Sequence, residues 1–359
     1  MLPLDKGALK TIGVIGPNAD NRKALVGNYE GTASRYYTIS EGIQDYVGDE
    51  VRVLCSEGCH LYKDKISDLS QGSDRLAEVR GICDASDVVI LCLGLDAGLE
   101  GEEGDEGNQY ASGDKPGLAL PGKQQELLEV AYESGKPIVL VLLSGSALAV
   151  TWADEHIPAI IQGWYPGAQG GNAIARVLFG EKNPEGRLPV TFYRTTEELP
   201  EFTDYAMKGR TYRYMETQAL YPFGYGLSYT DFTYSDASVS SDKVLEEGIT
   251  LRVTVSNTGS RQGTETVQAY VKVCREGTPN PQLKGICKVS LKPGEKKEVT
   301  MTLPLTAFAL YDEQAVNRVS KGEYLIYVGG SQPDQRSVDL TGKEPLKLKV
   351  AADQEFILN

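Results

Sequence analysis

Histidine is scarce in this chain, with only two among 359 residues. Ser-His-Asp and Cys-His catalysis both depend on an imidazole, so this scarcity disfavours either mechanism. The six cysteines include no Cys-x-x-Cys pair, and with so few histidines beside them they do not indicate a zinc site. We expect free, mostly buried thiols, which are typical of a reducing compartment.

Long apolar runs and an excess of basic residues are also missing. No run approaches the roughly 18–20 apolar residues that cross a bilayer, and the first residues lack a signal-peptide pattern. A cytoplasmic location is therefore the default, although a leader on a missing N-terminal domain would leave no trace in this sequence. The formal net charge of −14 disfavours nucleic acids and anionic membranes as partners, because such a surface repels phosphates.

Residues 11–180 alternate apolar, strand-like runs with helical periodicity. The strand-like runs are Thr11–Gly16, Val51–Leu54, Asp87–Leu93, Pro137–Leu143 and Ala159–Trp164. The helical periodicity covers Ser40–Tyr46, Asp74–Ala85, Lys123–Ser134 and Gly170–Phe179. This alternation is typical of a mainly parallel sheet flanked by helices. We therefore predict an α/β sandwich domain over residues 1–180.

The pattern changes twice after residue 180. Residues 181–229 are rich in Pro, Gly and Tyr and show little periodicity. Because their aromatic side chains would otherwise be exposed, we expect an extended connector packed on the first domain. Short alternating runs then follow, separated by turn signals such as Asn257-Thr258-Gly259. They predict an all-β sandwich of about immunoglobulin size over residues 230–359.

An acidic, glycine-rich segment follows the strand predicted at Asp87–Leu93. Within eleven residues it carries six carboxylates, which are Asp96, Glu100, Glu102, Glu103, Asp105 and Glu106. Loops after the carboxyl ends of parallel strands commonly hold ligand-handling groups. Crowded carboxylates also raise one another's pKa, which can keep one of them protonated for general-acid work. The alternative is a solvated acidic loop without a chemical role.

Two segments match a nucleotide-binding and a calcium-binding motif only in part. Gly117–Gln124 is one residue short of a phosphate-binding loop, and Gln124 replaces the hydroxyl that would hold Mg²⁺. Counted from Asp96, the twelfth position of an EF-hand would be Gly107 rather than Glu. We therefore predict no cofactor and no metal, with a looser cation site in the acidic segment as the alternative.

Several segments along the chain resemble, in the same order, segments of one known protein family. They are Ile12–Asp20, Gly27–Thr32, the acidic segment with Gly113–Gln124, Trp164–Gly167, Asn183–Phe192, Gly209–Tyr214, Leu220–Tyr229 and Val255–Gln268. Together they resemble the C-terminal α/β sandwich and fibronectin III-like domain of glycoside hydrolase family 3, over nearly the whole chain. Members of that family are retaining β-glucosidases, β-xylosidases and relatives. One departure is Asp114-Lys115, which stands where Asp-Arg is usual.

The resemblance assigns the general acid/base to the acidic segment. Glu100 is the first candidate, six residues beyond Gly94, and Glu102 and Glu103 are the alternatives because the length of this loop varies within the family. The other carboxylates would form a solvated rim that raises the pKa of the acid by charge repulsion.

Substrate contacts are a second implication. Asn28, Tyr29 and Arg35 follow the first strand and are candidate substrate-binding residues, with packing against an absent domain as their alternative role. Trp164 and Tyr165 could stack on sugar rings, but we expect them to pack in a core or an interface.

The resemblance implies that family members carry a (β/α)8 barrel joined to this sandwich. In them the barrel supplies the nucleophilic aspartate and most sugar-binding groups. Met1 is followed at once by a linker-like stretch. We therefore expect a fragment, a split-gene product or a recombinant piece. The implied function is the C-terminal portion of a retaining β-glycosidase acting on terminal β-linked glucose or xylose, inactive without a barrel in cis or in trans. The alternatives are a non-catalytic carbohydrate-binding or scaffolding module and an inactive remnant.

Overall fold

The computed structural model describes residues 1–65, 67–71, 73, 75–101 and 115–358. By its internal contacts the chain divides into two units. The first comprises Met1–Lys182 and Tyr193–Glu198, and the second comprises Asn183–Phe192 and Leu199–Asn359. Each unit is built on sheets of a different kind.

The first unit is built on a parallel sheet. Its five strands are β1 (Thr11–Ile15), β2 (Arg52–Ser56), β3 (Val88–Gly94), β4 (Ile138–Leu143) and β5 (Ala159–Gln162). They lie in the order β2-β1-β3-β4-β5, and all neighbours run parallel. Every residue of β3 and β4 is buried, as expected for strands covered on both faces. The prediction of a parallel sheet flanked by helices is confirmed.

Within the described residues, five α-helices lie between these strands and a sixth follows β5. They are α1 (Ile39–Val47), α2 (Leu76–Ala85), α3 (Ala97–Glu100), α4 (Gln124–Glu133), α5 (Thr151–His156) and α6 (Gly170–Leu178). A capping box begins α1, since Thr38 Oγ1 accepts from the Glu41 N–H at 3.3 Å and Glu41 Oε2 accepts from the Thr38 N–H at 2.9 Å. Periodicity does not predict α3, because four residues span barely one turn.

Helices α1 and α6 pack backbone against backbone. A Cβ built on Gly42 would lie 2.1 Å from the carbonyl carbon of Gly171. A Cβ on Gly171 would lie 1.9 Å from the backbone oxygen of Thr38. Real side chains do not tolerate such distances, so this contact requires glycine on both helices.

The second unit is built on antiparallel sheets. Its longer strands are β6 (Phe232–Val239), β7 (Ile249–Asn257), β8 (Gly263–Val273), β9 (Gln282–Leu291) and β10 (Lys296–Leu303), and its later strands are β11 (Leu310–Tyr311), β12 (Asn317–Val319), β13 (Gly322–Gly329), β14 (Leu346–Ala352) and β15 (Phe356–Leu358). Two larger sheets have the orders β10-β7-β6 and β14-β13-β8-β9, and a small one has the order β11-β12-β15. Their apolar faces share one core, which includes Leu251, Val267 and Ile326. The prediction of an all-β sandwich is confirmed.

Two short helices accompany these sheets. They are α7 (Thr211–Tyr214) and α8 (Gln335–Thr341), and the sequence patterns predict neither. Asp334 caps α8 by accepting a hydrogen bond from the Ser337 N–H at 2.7 Å.

For residues 181–229 we expected a connector packed on the first domain. Most of this segment, residues 183–192 and 199–229, belongs to the second unit. Arg187 Nη2 donates to Glu265 Oε1 at 2.9 Å, with both side chains buried. The ring of Tyr212 stacks on Phe223 and lies edge-on to Tyr270 of β8. Tyr212 and Phe223 are thus covered within the second unit, whereas Phe202 and Tyr205 are exposed. The boundaries drawn from composition do not follow these contacts.

All six cysteines are free, and three of them, Cys59, Cys83 and Cys92, are buried. Cys55 and Cys274 are exposed. Burial raises the pKa of the Cys59 thiol to about 12, which makes that thiol a poor nucleophile at neutral pH. The thiols are free as expected, but only three of the six are buried.

The contact between α1 and α6 generates a stability prediction. Gly42→Ala and Gly171→Ala should each lower the free energy of unfolding by at least about 2 kcal/mol, because the backbones must separate. Gly81→Ala is the control, since this glycine is exposed in α2 and a Cβ there would meet nothing within 4 Å. It should raise stability by about 0.5–1 kcal/mol. Urea unfolding measures all three, and equal midpoints for Gly171→Ala and the parent chain would refute the close contact.

Candidate active site

The turn after β3 places the start of the acidic segment, Asp96–Glu100, at the carboxyl edge of the sheet. Gly94 ends β3 with φ +131°, and a Cβ there would lie 2.1 Å from the backbone oxygen of Leu143 in β4. Only glycine allows the chain to leave the sheet this closely over its neighbour. Asp96 then begins α3, and its carboxylate accepts a hydrogen bond from the Leu99 N–H at 2.9 Å.

Glu100, the last residue of α3, has a carboxylate that accepts three hydrogen bonds. Its Oε2 accepts from the Gly145 N–H at 2.6 Å and from the Tyr165 hydroxyl. Its Oε1 accepts from the Ser146 hydroxyl. Both carboxylate oxygens therefore accept from donors of the same unit.

These donors come from two different loops. Gly145 and Ser146 follow β4, and Tyr165 follows β5. Because the carboxyl ends of parallel strands meet at one edge, three neighbouring strands deliver their following residues to one place. The fit is close, since a Cβ on Gly145 would lie 2.7 Å from Glu100 Oε2 and 2.8 Å from Tyr165 Cε2.

Two further groups define the electrostatics around Glu100. Burial raises the pKa of Tyr165, and its hydrogen bond to Glu100 and the negative charge there act in the same direction. The phenol therefore keeps its proton and remains a donor. Lys115 Nζ donates to the Ala147 oxygen at 2.9 Å, and burial lowers the pKa of Lys115 while the charge of Glu100 opposes that shift.

Gln124 secures the end of β3. Its Oε1 accepts from the Gly94 N–H at 2.7 Å, and its Nε2 donates to the backbone oxygens of Gly94 at 2.8 Å and Leu61 at 2.7 Å. The side chain is fully buried. The segment that approaches a phosphate-binding motif thus holds the turn after β3 in place.

The candidate substrate-binding residues lie in the loop after β1. Asn28, Tyr29 and Arg35 are all exposed, and Tyr29 is 92% exposed with φ +61°. The Arg35 guanidinium lies 4.2 Å from the centre of the Tyr37 ring.

The loop after β1 reaches the edge where Glu100 lies. A Cβ built on Gly27 would be 3.5 Å from Tyr165 Cδ2, so the residue before Asn28 borders one of the partners of Glu100. Asn18 Nδ2 also donates to the Leu95 oxygen at 2.9 Å, which joins the loops after β1 and β3. The structure therefore brings the base of both candidate regions to one edge of the sheet.

Two of the three acid/base candidates lie outside the described residues. Glu102 and Glu103 lie among residues 102–114, outside the described residues, and so does Gly107 of the proposed cation loop. Of the three glutamates, the structure describes Glu100.

Sequence reasoning missed Gly145 and Ser146, which lie in a short turn without periodicity or charge. We expect Tyr165 to pack in a core or an interface, and in the structure its hydroxyl donates to Glu100. A phenol gives no sign in the sequence of the carboxylate that it will meet 65 residues away.

Within the described part of the chain, no group of three His, Cys, Asp or Glu side chains is arranged to hold a metal ion. None of the helices in that part combines the length and the apolar character needed to cross a membrane.

The family model of the glycosyl hydrolase family 3 C-terminal domain matches residues 1–229. The model of a fibronectin type III-like domain matches residues 265–332. Together with the observed fold, these matches define the C-terminal architecture of a glycoside hydrolase. The chain belongs to glycoside hydrolase family 3.

Named relatives agree with this assignment. A periplasmic β-glucosidase of Salmonella typhimurium is 34% identical, over 91% of this chain and 45% of that protein. A β-xylosidase of Formosa agariphila is 33% identical, over 96% of this chain and 47% of its own length. The solved structure of a β-glucosidase from Erythrobacter marinus superposes with a TM-score of 0.81 at 31% identity, over 98% of this chain and 47% of that one. The chain thus spans about half the length of the relatives that it matches.

The role of Gln124 generates a prediction. Gln124→Leu should lower the free energy of unfolding by about 3 kcal/mol, because the buried N–H and C=O of Gly94 and the C=O of Leu61 lose a partner. Gln125→Leu is the matched control, since Gln125 is only partly buried and donates to Glu129 within α4 at 2.8 Å. It should cost about 0.5 kcal/mol or less. Chemical unfolding of both variants checks this, and equal losses would contradict a special role for Gln124.

Proposed function

We propose that this chain is the C-terminal portion of a retaining β-glycosidase that hydrolyses terminal β-linked glucose or xylose. It supplies the general acid/base, and a (β/α)8 barrel in cis or in trans supplies the nucleophile. The main support is that proteins named β-glucosidase and β-xylosidase match more than nine-tenths of this chain, which fills less than half of their length.

The proposed reaction uses two carboxyl groups roughly 5–5.5 Å apart. The nucleophilic carboxylate of the barrel attacks the anomeric carbon and forms a glycosyl ester, while the acid of this chain protonates the departing glycosidic oxygen. The same group, now a carboxylate, then takes a proton from water as the water oxygen attacks the anomeric carbon, which breaks the glycosyl ester and releases the carboxylate of the barrel. The sugar is released with its original configuration, and the acid is protonated again.

We place the acid/base in the acidic segment, with Glu100, Glu102 and Glu103 as its candidates. Supporting this, α3 begins directly beyond β3 at the carboxyl edge of the sheet, the usual position of ligand-handling groups in such folds. Asn28, Tyr29 and Arg35 are proposed to contact the substrate, since their loop begins beside Tyr165 at that same edge.

The proposal predicts activity only in the presence of a barrel. This chain alone should not turn over 4-nitrophenyl β-glucoside or β-xyloside, and the chain mixed with a separately expressed family 3 barrel should do so at an ordinary rate, on the order of 1–1,000 per second. Release of 4-nitrophenol measures both samples, and the barrel alone is the control.

Either of two results would refute the proposal. Ordinary turnover by the chain alone would show that no barrel is needed. If the mixture shows no turnover and the folded chain binds glucose or xylose, the results would instead favour a non-catalytic carbohydrate-binding module.

A further inference from the structure

A cavity lies within the second unit, beside the buried pair of Arg187 and Glu265. Its volume is about 150 Å³, the size of an engineered protein cavity that accommodates benzene. Residues from β6, from β8, from the chain after β13 and from the region around α8 line it. The cavity reaches the surface, since the exposed residues Asp231, Lys343 and Glu344 are among those that line it. It can therefore take up a group of about six non-hydrogen atoms from solution.

Three side chains of the cavity wall each carry a polar atom with unused hydrogen-bonding capacity. Tyr234 Oη, Arg187 Nε and Gln332 Oε1 are buried, and none of them has a hydrogen-bond partner among the described residues. Buried polar groups in folded proteins are nearly always paired, because an unpaired group loses its bonds to water without replacement. Three such groups around one cavity therefore indicate a binding site for a molecule with complementary groups.

The same wall offers both donors and acceptors. Burial and the negative charge of Glu265 raise the pKa of Tyr234 against the opposing charge of Arg187, so the phenol keeps its proton and can donate. Arg187 Nε donates as well, whereas Gln332 Oε1 accepts, and the soft terminal torsion of a glutamine lets its amide turn toward a ligand. Glu265 Oε1 accepts from Arg187 Nη2 at 2.9 Å and from the Thr266 N–H at 2.7 Å. Both of these bonds end on Oε1, which leaves Glu265 Oε2 as a further acceptor.

The charges and the apolar surface of the wall favour a neutral ligand with a carbon skeleton. Arg187 and Glu265 carry opposite charges at 2.9 Å, so a cation in the cavity would be repelled by the one and an anion by the other. Phe232, Leu340 and Pro345 supply apolar wall, and Phe232 is buried. A hydroxyl group can both donate and accept a hydrogen bond. Several hydroxyls on a small carbon skeleton therefore match the polar and the apolar parts of this wall together.

We propose that this cavity is a binding site for a small neutral polyol, either an acyclic one such as glycerol or a monosaccharide. Hydroxyls of the polyol bond to Tyr234, Arg187 and Gln332, and its carbon skeleton packs against Phe232. The residues that line the cavity include none of those that form the candidate active site. The inference therefore goes beyond the proposed function and does not depend on it.

Gly330 offers a way to obstruct the cavity while keeping its polar groups. A Cβ built on this lining residue would lie 3.4 Å from both Tyr234 Oη and Glu265 Oε1, which is ordinary van der Waals contact. The φ of Gly330 lies outside the left-handed region, so alanine fits the backbone there. Gly330→Ala should therefore fold normally and place a methyl group beside two of the groups that face the ligand.

The test measures polyol binding to the full chain by saturation-transfer difference NMR. Glycerol and glucose are the neutral probes, and glucuronate and glucosamine are charged counterparts of glucose. We expect saturable binding of both neutral probes, with a dissociation constant on the order of 1 mM for glucose. Glucuronate and glucosamine should bind at least about tenfold more weakly, because each brings a charge beside a buried charge of the same sign.

Variants assign the binding to the cavity. Gly330→Ala and Tyr234→Phe should each weaken the binding of glucose at least about tenfold, the first by obstruction and the second by loss of a donor. Tyr327→Phe is the matched control, since Tyr327 lies in β13 and does not line the cavity. It should leave binding unchanged, and so should Asn28→Ala in the loop after β1. The urea midpoint of Tyr234→Phe should equal or exceed that of the parent chain, because the hydroxyl that is removed has no partner in the protein.

Four results would overturn the inference. Without saturable binding of glycerol or glucose, the cavity would hold ordered water only. Glucose binding that persists in both Gly330→Ala and Tyr234→Phe would lie elsewhere on the chain. Binding that is lost in Asn28→Ala would belong to the candidate substrate loop instead. Tighter binding of glucuronate or glucosamine than of glucose would show that the cavity selects a charged ligand.

Discussion

Two glycines at the carboxyl ends of neighbouring strands determine how the chain leaves the parallel sheet. Gly16 follows β1 with φ +129°, and Gly94 ends β3 with φ +131°. A Cβ on either would lie 2.1 Å from a backbone oxygen of the next strand, that of Cys92 or of Leu143. Other residues rarely adopt such φ values and would collide with the neighbouring backbone. The position of α3, and of Glu100 at its end, depends on this close departure from the sheet.

Charged side chains and their hydrogen-bond partners then join segments that are distant along the chain. Glu100 lies 45 residues before Gly145 and 65 before Tyr165, and their hydrogen bonds hold three loops together. In the second unit, Arg187 pairs with Glu265 across 78 residues. Burial raises the pKa of Glu265, and the charge of Arg187 opposes that shift. Because a buried charge without a partner is costly, the Arg187–Glu265 pair selects one arrangement of the chain around it.

Sequence reasoning was most direct for the fully buried strands. The runs of β3 and β4 are apolar throughout, so they are recognised directly as strands of a covered parallel sheet. In the second unit, the alternating runs Thr250–Ser256, Thr264–Val273, Lys296–Leu303 and Glu323–Val328 predict strands where β7, β8, β10 and β13 lie. The edge strands β6, β9 and β14 were not predicted, although β10, also at an edge, was.

The sequence by itself determined the family, the two fold classes and the place where the acidic segment begins, since these follow from local hydrophobic patterns and ordered motifs. Only the tertiary structure decided that most of residues 183–229 belong with the second unit, and that Gly145, Ser146 and Tyr165 surround Glu100. The physical reason is the separation along the sequence of the residues that each signal involves. Periodicity reports on neighbours a few residues apart, whereas these hydrogen bonds join residues that meet only when parallel strands end at one edge of a sheet.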